Sequence, residues 1–380
     1  MDLRGALLRA AAGRPHVLVI GGLGTERLRA RVEQETARRR WPTATSPADA
    51  DVVVVVGRPG PELRAVIADV WAGVPAPRSQ VRIVGEAEVA PALDDAARRL
   101  ADPTAQRALA PEGGLRAERT DASPTDPGHD GAEHDGAEHA GDDRSADDDH
   151  GGGHHHHGGG MDLPGGLTMA DLGEDRDGLA LDQLHVPLGP VLPDWPSGLV
   201  VDVVLQGDVI QDARSRFLDL DDLDATDPAP ERLPDAARAL ASSARVLALA
   251  GWDGPAARAR GLRDAVLFGG GDSVQVDRGQ VLEELDDLRR RVRRSRTLRW
   301  VLRSSRAGGS EVVEALDGAL LAAGAALRGA AAEPPATVDL PALDARLVGA
   351  EFAAARLIVA VADPQPQLTP TPPPDRGGAP

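Results

Sequence analysis

Residues 51–57 read DVVVVVG, and this stretch decides the fold of the first part of the chain. Five consecutive valines bounded by Asp51 and Gly57 predict a short strand that is buried on both faces. Similar runs, HVLVIGG at 16–22 and VRIVG at 81–85, stand on either side of it, and segments with helical character lie between them. Such alternation predicts a parallel sheet of three or more strands within an α/β domain at 1–102.

The composition changes sharply after this domain. Residues 103–160 consist mainly of Gly, Asp, Glu, His, Ser and Pro, with HDGAE repeated in tandem. Such a segment buries too little apolar area to offset chain entropy, so it is predicted to be a disordered linker rich in His, Asp and Gly. Residues 121–157 hold eleven acidic residues and one Arg, so this segment contributes -10 of the formal charge of -18.

A second folded part is predicted at 161–363, with order returning at the MDLPGG that begins at Met161. Residues 198–217 read GLVVDVVLQGDVIQDARSRF, which predicts an antiparallel hairpin turning at Gln206, Gly207 and Asp208. The pattern after it predicts a helical bundle, so this part is an α+β domain followed by a Pro-rich disordered tail at 364–380. The predicted helices span 232–250, 255–268, 278–303, 310–330 and 341–362.

Composition and charge exclude several classes of protein. The chain has no Cys, so disulfides and thiolate-held iron–sulfur or zinc sites are excluded. The negative charge argues against nucleic-acid binding. The first residues, MDLRGALLRAAAGR, carry charges and do not resemble a secretory signal, and the least polar stretch, 315–332, contains Asp317 and Arg328. We therefore expect a cytoplasmic protein, with a peripheral position on the inner face of the cell membrane as a further option.

The His-rich segment is the first candidate site. Eight of the ten histidines lie between His129 and His157, and imidazoles suit nickel, zinc and copper. A flexible glycine-flanked run supplies no fixed second shell, so weak, promiscuous nickel or zinc binding and a plain tether both remain open, while catalysis is disfavoured. The candidate ligands are His150, His154, His155, His156 and His157.

Three further features have a functional and a structural interpretation. The loop Gly21–Glu26 follows a strand and could cradle phosphate, but Arg27 stands in place of the third glycine of GxGxxG, and a tight turn is favoured. Seven arginines between Arg289 and Arg299 form either a solvated helix face or a surface that docks an acidic partner or lipid headgroups. His185 is interpreted as structural. No GxSxG, HExxH or CxxC motif occurs, so residue chemistry alone indicates no catalytic residues.

Residues 50–85, ADVVVVVGRPGPELRAVIADVWAGVPAPRSQVRIVG, resemble the small iron–sulfur subunit of respiratory complex I and the related nickel–iron hydrogenases. In that family a cysteine ligand follows the glycine equivalent to Gly85, where this chain has Glu86 and Ala87. The family's GLACC loop resembles residues 22–26, with Thr25 and Glu26 in place of the adjacent cysteines. The resemblance thus implies a small-subunit fold in which no cluster is bound.

Residues 188–210, LGPVLPDWPSGLVVDVVLQGDVI, are similar to the opening GPxHPSTHG and hairpin of the large quinone-site subunit of the same complexes. Leu192 and the pair Trp195-Pro196 replace polar residues of that motif, and the nickel-binding cysteine pairs of hydrogenases are absent. The resemblance implies a fusion of two subunits that has lost its redox residues and binds no cofactor.

The function that follows is a non-catalytic or scaffolding subunit of a bacterial membrane-associated assembly of the NADH-quinone oxidoreductase type, whose partners are complex-I-like or antiporter-like membrane subunits. Two alternatives remain. One is a nickel or zinc storage or delivery protein that uses the His-rich segment. The other is a nucleotide-binding enzyme that uses Gly21–Gly24.

Overall fold

The computed structural model describes residues 12–109, 171–174, 180–220, 233–269, 277–304, 309–330 and 339–366. These ranges contain both predicted folded parts, which belong to one compact unit. The predicted fold class is confirmed for both. Most of the predicted linker and almost all of the predicted disordered tail lie outside the described residues. The MDLPGG segment that begins at Met161 lies outside them as well.

The first part is an α/β structure of three βα units. Its sheet is parallel with the order β1-β2-β3, and all five valines of β2 are buried. Helices α1 and α3 cover one face of the sheet and α2 covers the other, since their apolar side chains join the two separate clusters on those faces. The elements are β1 Val17–Gly21, α1 Glu26–Arg38, β2 Val52–Val56, α2 Pro61–Ala72, β3 Ser79–Ile83, α3 Val89–Ala101 and α4 Pro103–Ala108.

Helix α4 lies inside the segment that composition predicts to be linker, so order extends further than expected. The side chain of Asp102 accepts a hydrogen bond from the backbone N–H of Thr104 and caps the helix. Gln106 is buried, and its amide group exchanges hydrogen bonds of 2.9 and 3.0 Å with the backbone of Arg78. These tertiary bonds hold a short polar helix that its own apolar content would not stabilise.

The second part begins with an antiparallel sheet of order β4-β5-β6-β7. The hairpin predicted at Gly207 is confirmed, with a positive φ of 65° at that glycine. Strands β4 and β5, which the sequence reading did not predict, extend it to four strands. The strands are β4 Asp171–Glu174, β5 Ala180–Leu188, β6 Leu199–Gln206 and β7 Val209–Phe217.

The helices of the second part form two packing groups. Helices α5 to α9, joined by α11, enclose a bundle core that contains Leu240, Leu285 and Leu316, and α10 and α11 pack on the antiparallel sheet. The predicted core face of α7, at Val281, Leu285, Leu288 and Val292, is confirmed as buried. The helices are α5 Asp235–Leu249, α6 Asp253–Phe268, α7 Arg278–Arg294, α8 Arg296–Ser304, α9 Gly309–Leu327, α10 Leu340–Leu347 and α11 Phe352–Ala362.

Two segments that were each predicted to be one helix are each divided into two helices in the structure. The segment 278–303 is broken at Ser295, whose hydroxyl accepts a hydrogen bond from the backbone N–H of Leu298 at 3.1 Å and so starts a new helix. The segment 341–362 is broken at 348–351, because its backbone pairs with the β6–β7 hairpin instead. There the N–H of Gly349 donates to the carbonyl oxygen of Ile210 at 2.8 Å. Within the described ranges, no helix combines the length and the apolar character needed to cross a membrane.

Candidate functional site

The loop after β1 is a tight turn closed by its own side chain. Gly24 has a positive φ of 72°, and the hydroxyl of Thr25 donates a hydrogen bond to the carbonyl oxygen of Gly22 at 2.8 Å. Glu26 is the first residue of α1, and burial raises the pKa of its carboxyl group. An acidic side chain at the start of a helix places negative charge where a phosphate would bind, so this turn is a poor phosphate site.

Thr25, Glu26 and Ala87 lie along one edge of the parallel sheet. The resemblance places these residues where the family has its cluster-binding cysteines. Thr25 packs closely against Gly57, the residue that follows β2. Arg27 forms an ion pair of 2.7 Å with Glu86, in the short 3-10 helix Glu86–Glu88 that contains the exposed Ala87. The loops that follow all three strands are therefore joined by contacts at this edge.

Leu23 connects this edge to the second part of the chain. A Cβ atom at Gly198 would lie 3.1 Å from Leu23 Cδ2, so the two residues are in close contact, and Gly198 has a positive φ of 72°. Leu23 and Leu192 both pack against the core of the antiparallel sheet. The two loops that carry the family resemblance, one in each part, thus meet at Leu23 and Gly198.

A buried ion-pair cluster lies beside these loops, between α1 and α6. The Arg263 side chain, which is only 8% exposed, binds Glu33 Oε2 at 2.9 Å and Asp264 Oδ1 at 2.8 Å, and Arg29 also binds Glu33, at 3.1 Å. Burial alone would raise the pKa of Glu33, but the positive charges of Arg263 and Arg29 outweigh it and lower that pKa to about 2. Burial raises the pKa of Asp264 against the opposing effect of Arg263.

A cavity of about 800 Å³ runs along this cluster. Its walls combine apolar side chains of β1 and the loop 191–197 with charged side chains of α1, α5 and α6. Glu26 and Arg245 line it. Burial raises the pKa of the Glu26 carboxyl, and a backbone hydrogen bond and the positive charges of Arg245 and Arg29 offset this only in part. Arg245 is held by Asp363, with 2.8 Å between Nη2 and Oδ1.

A second junction joins α2 to the end of β7. The backbone N–H groups of Glu62 and Leu63 donate to the carboxylate of Asp219 at 2.8 and 3.3 Å, so Asp219 caps a helix of the other part. In return, the N–H of Asp219 donates to Glu62 Oε2 at 2.7 Å, and Arg216 binds Glu62 Oε1 at 2.9 Å. This reciprocal arrangement has the bonding logic of a capping box, but it is assembled from residues distant in sequence.

The Arg-rich segment is partly used for packing. Arg289 binds Asp317 of α9 through two hydrogen bonds of 2.7 and 3.1 Å, which raise its pKa against a small opposing effect of desolvation. Arg291 lies over the Trp252 ring, 5.6 Å from the centroid. Arg293, Arg294 and Arg296 are exposed, and no acidic partner is found for them among the described residues.

The histidines contribute no site within the described residues. His16 lies beside Asp51, with 3.4 Å between Nδ1 and Oδ2, and His185 is exposed on β5. The candidate metal ligands His150 and His154 to His157 lie outside the described ranges. Among the described residues, no group of three or more His, Asp or Glu side chains is arranged to hold a metal ion.

Sequence reasoning located both loops but missed the groups that join them. Glu33, Arg263 and Asp219 stand in ordinary amphipathic or turn sequences, and no local signal marks their partners. The arrangement as a whole binds the two parts together and presents no nucleophile paired with a base among the described residues. Comparisons with protein-family models, curated proteins and solved structures gave no match.

Proposed function

We propose that this chain is a non-catalytic, scaffolding subunit of a complex-I-like or hydrogenase-like membrane-associated assembly, formed by fusion of a small and a large subunit. The observation that carries the proposal is the contact between Leu23 and Gly198. These residues belong to the two separate stretches that resemble the two subunits. A fusion that retains an old subunit interface would bring such stretches together.

The chemistry of the loops supports a non-catalytic role. Cluster ligands would be thiolates, and the chain has no Cys. In their place, the Thr25 hydroxyl donates a hydrogen bond to the Gly22 carbonyl oxygen, and the half-buried Glu26 carboxyl has a pKa that burial raises. The Thr25 hydroxyl therefore serves the local fold of the turn. Electrons that cross such an assembly would travel through other subunits.

The junction between the parts supports a scaffolding role. The buried Arg263 and the half-buried Glu33 form an ion pair across it, and Asp219 and Glu62 exchange hydrogen bonds at its other end. Bonds of this kind fix the relative orientation of two bodies more strictly than apolar contact does. A subunit that orients its neighbours needs such fixed geometry.

Copurification tests the proposal. The full chain, tagged at its C-terminus and expressed from its own locus, is extracted in a mild detergent, and its partners are identified by mass spectrometry. We expect stoichiometric recovery of proton-antiporter-like membrane subunits, which a matched tagged cytoplasmic protein should not recover. Recovery of a free monomer from both the soluble and the detergent fractions would refute the proposal.

A second candidate function, nickel or zinc storage or delivery, is favoured by the eight histidines between His129 and His157. Calorimetric titration of the full chain, and of a variant with those eight histidines replaced by Ser, measures the affinity that they supply. Delivery additionally requires that the metal-loaded chain activates a partner enzyme faster than the free ion does. Equal rates with the chain and with the free ion would exclude delivery.

A further inference from the structure

Trp300 is an unusual surface residue. It is 71% exposed, and it is the one exposed large apolar side chain found on α7 and α8 within the described residues. The opposite face of α8 is buried through Leu298 and Leu302, which pack in the bundle core. A single exposed apolar side chain is common on protein surfaces, so Trp300 becomes informative through its surroundings, because a tryptophan ring combines a large apolar area with one polar N–H group.

Positive charge surrounds this tryptophan. Arg296 precedes it by one helical turn and shares its face, and Arg293 and Arg294 occupy the last turn of α7, immediately before α8. All three side chains are exposed and lack an acidic partner among the described residues. The acidic residues of α7 lie earlier on the helix, and Asp287, the last of them, already pairs with Arg290. The chain is acidic overall, but this end of the bundle is basic.

We propose that the surface formed by Arg293, Arg294, Arg296 and Trp300 binds anionic lipid headgroups at a membrane surface. A protein interface of standard size requires about 800 Å² per partner with an apolar centre, and a single exposed tryptophan does not provide one. An interfacial tryptophan flanked by basic side chains is instead the combination that suits the headgroup region. The inference rests on the proposed function, since it names the surface by which this subunit would meet the membrane.

Sedimentation of the purified full chain with lipid vesicles tests the proposal without any other subunit. We expect binding to vesicles that contain phosphatidylglycerol, little binding to phosphatidylcholine alone, and loss of binding in high salt. The triple variant Arg293→Gln, Arg294→Gln, Arg296→Gln should bind on the order of 100-fold more weakly, because each basic side chain contributes roughly a five-fold factor. Trp300→Ala should lose roughly ten-fold.

A matched control separates the surface from the total charge. Arg58→Gln, Arg82→Gln, Arg214→Gln removes the same charge from three exposed arginines elsewhere, and it should bind vesicles as the unchanged protein does. Three results would overturn the proposal. The two triple variants could lose vesicle binding equally, or the unchanged protein could fail to bind vesicles. Soluble polyglutamate could also compete fully for binding while Trp300→Ala has no effect. The last result would assign the surface to an acidic protein. Failure here would leave the copurification result standing, and failure of copurification would not alter vesicle binding.

Discussion

Leu23, in the loop after the first strand, lies against Gly198, which precedes the strand β6 of the second part, and it occupies the space next to the position of a Cβ atom. Gly198 is needed for two reasons: its φ is positive, at 72°, and a Cβ atom there would lie within 3.4 Å of three atoms of Leu23. The contact couples a backbone requirement in one part to the packing of the other. It is therefore a sensitive point at which to test whether the two parts act as one body.

Gly198→Ala should destabilise the protein by about 1–3 kcal/mol for the left-handed backbone, with a further loss from displacement of Leu23. Gly207→Ala is the matched control, because Gly207 also has a positive φ, of 65°, but has open space where a Cβ would stand. Thermal unfolding measures both. A loss no larger for Gly198→Ala than for Gly207→Ala would show that the Leu23 contact contributes nothing.

Glu33 should make stability depend on pH in the acid range. Its folded pKa is about 2 against an ordinary value of 4.5, so the stability that it contributes is complete above pH 4.5 and is lost as the pH falls towards 2. Linkage gives this contribution a size on the order of 3 kcal/mol. Glu33→Gln should therefore be less stable than the unchanged protein at pH 7, with a difference that narrows steadily below pH 4.5.

The control for this prediction is Glu35→Gln, on the same helix. Glu35 pairs with Arg39 four residues later, at 3.0 Å, and such pairs within a helix contribute only about 0.3–0.5 kcal/mol. Chemical denaturation between pH 3 and pH 7 compares the two variants. A flat difference across this range for Glu33→Gln would contradict the buried ion pair with Arg263.

The effect of Glu26 on stability should have the opposite pH dependence to that of Glu33. Burial raises its pKa, so its ionised form weakens the folded state, and this loss grows as the pH rises through the raised pKa. Glu26→Gln removes the charge and should raise the melting temperature by roughly 2 °C at pH 7, with no gain at pH 3 where the carboxyl is protonated. The exposed Glu314→Gln serves as control. A lower melting temperature for Glu26→Gln at pH 7 would show that the charge is stabilised in the fold.

The sequence was sufficient for the features that depend on local pattern. The run of valines at 52–56 predicted the parallel sheet, and Gly207 predicted the hairpin turn. Strand β5 was not predicted, because the apolar and polar residues of its sequence ALDQLHVPL alternate only weakly and include a proline. The helix break at 348–351 was not predicted, because it depends on backbone hydrogen bonds to Ile210, a partner far away in sequence. The junction at Arg263 and Glu33 depends wholly on tertiary packing, which no periodicity reports.

Cleavage between the two folded parts shows whether they form one body across a specific junction. A protease site inserted at residues 130–140 of the full chain is cut after folding, and the products are separated by size-exclusion chromatography. We expect both fragments to elute together as one particle, and Arg263→Gln to weaken their association. Separate elution of two folded fragments would contradict it.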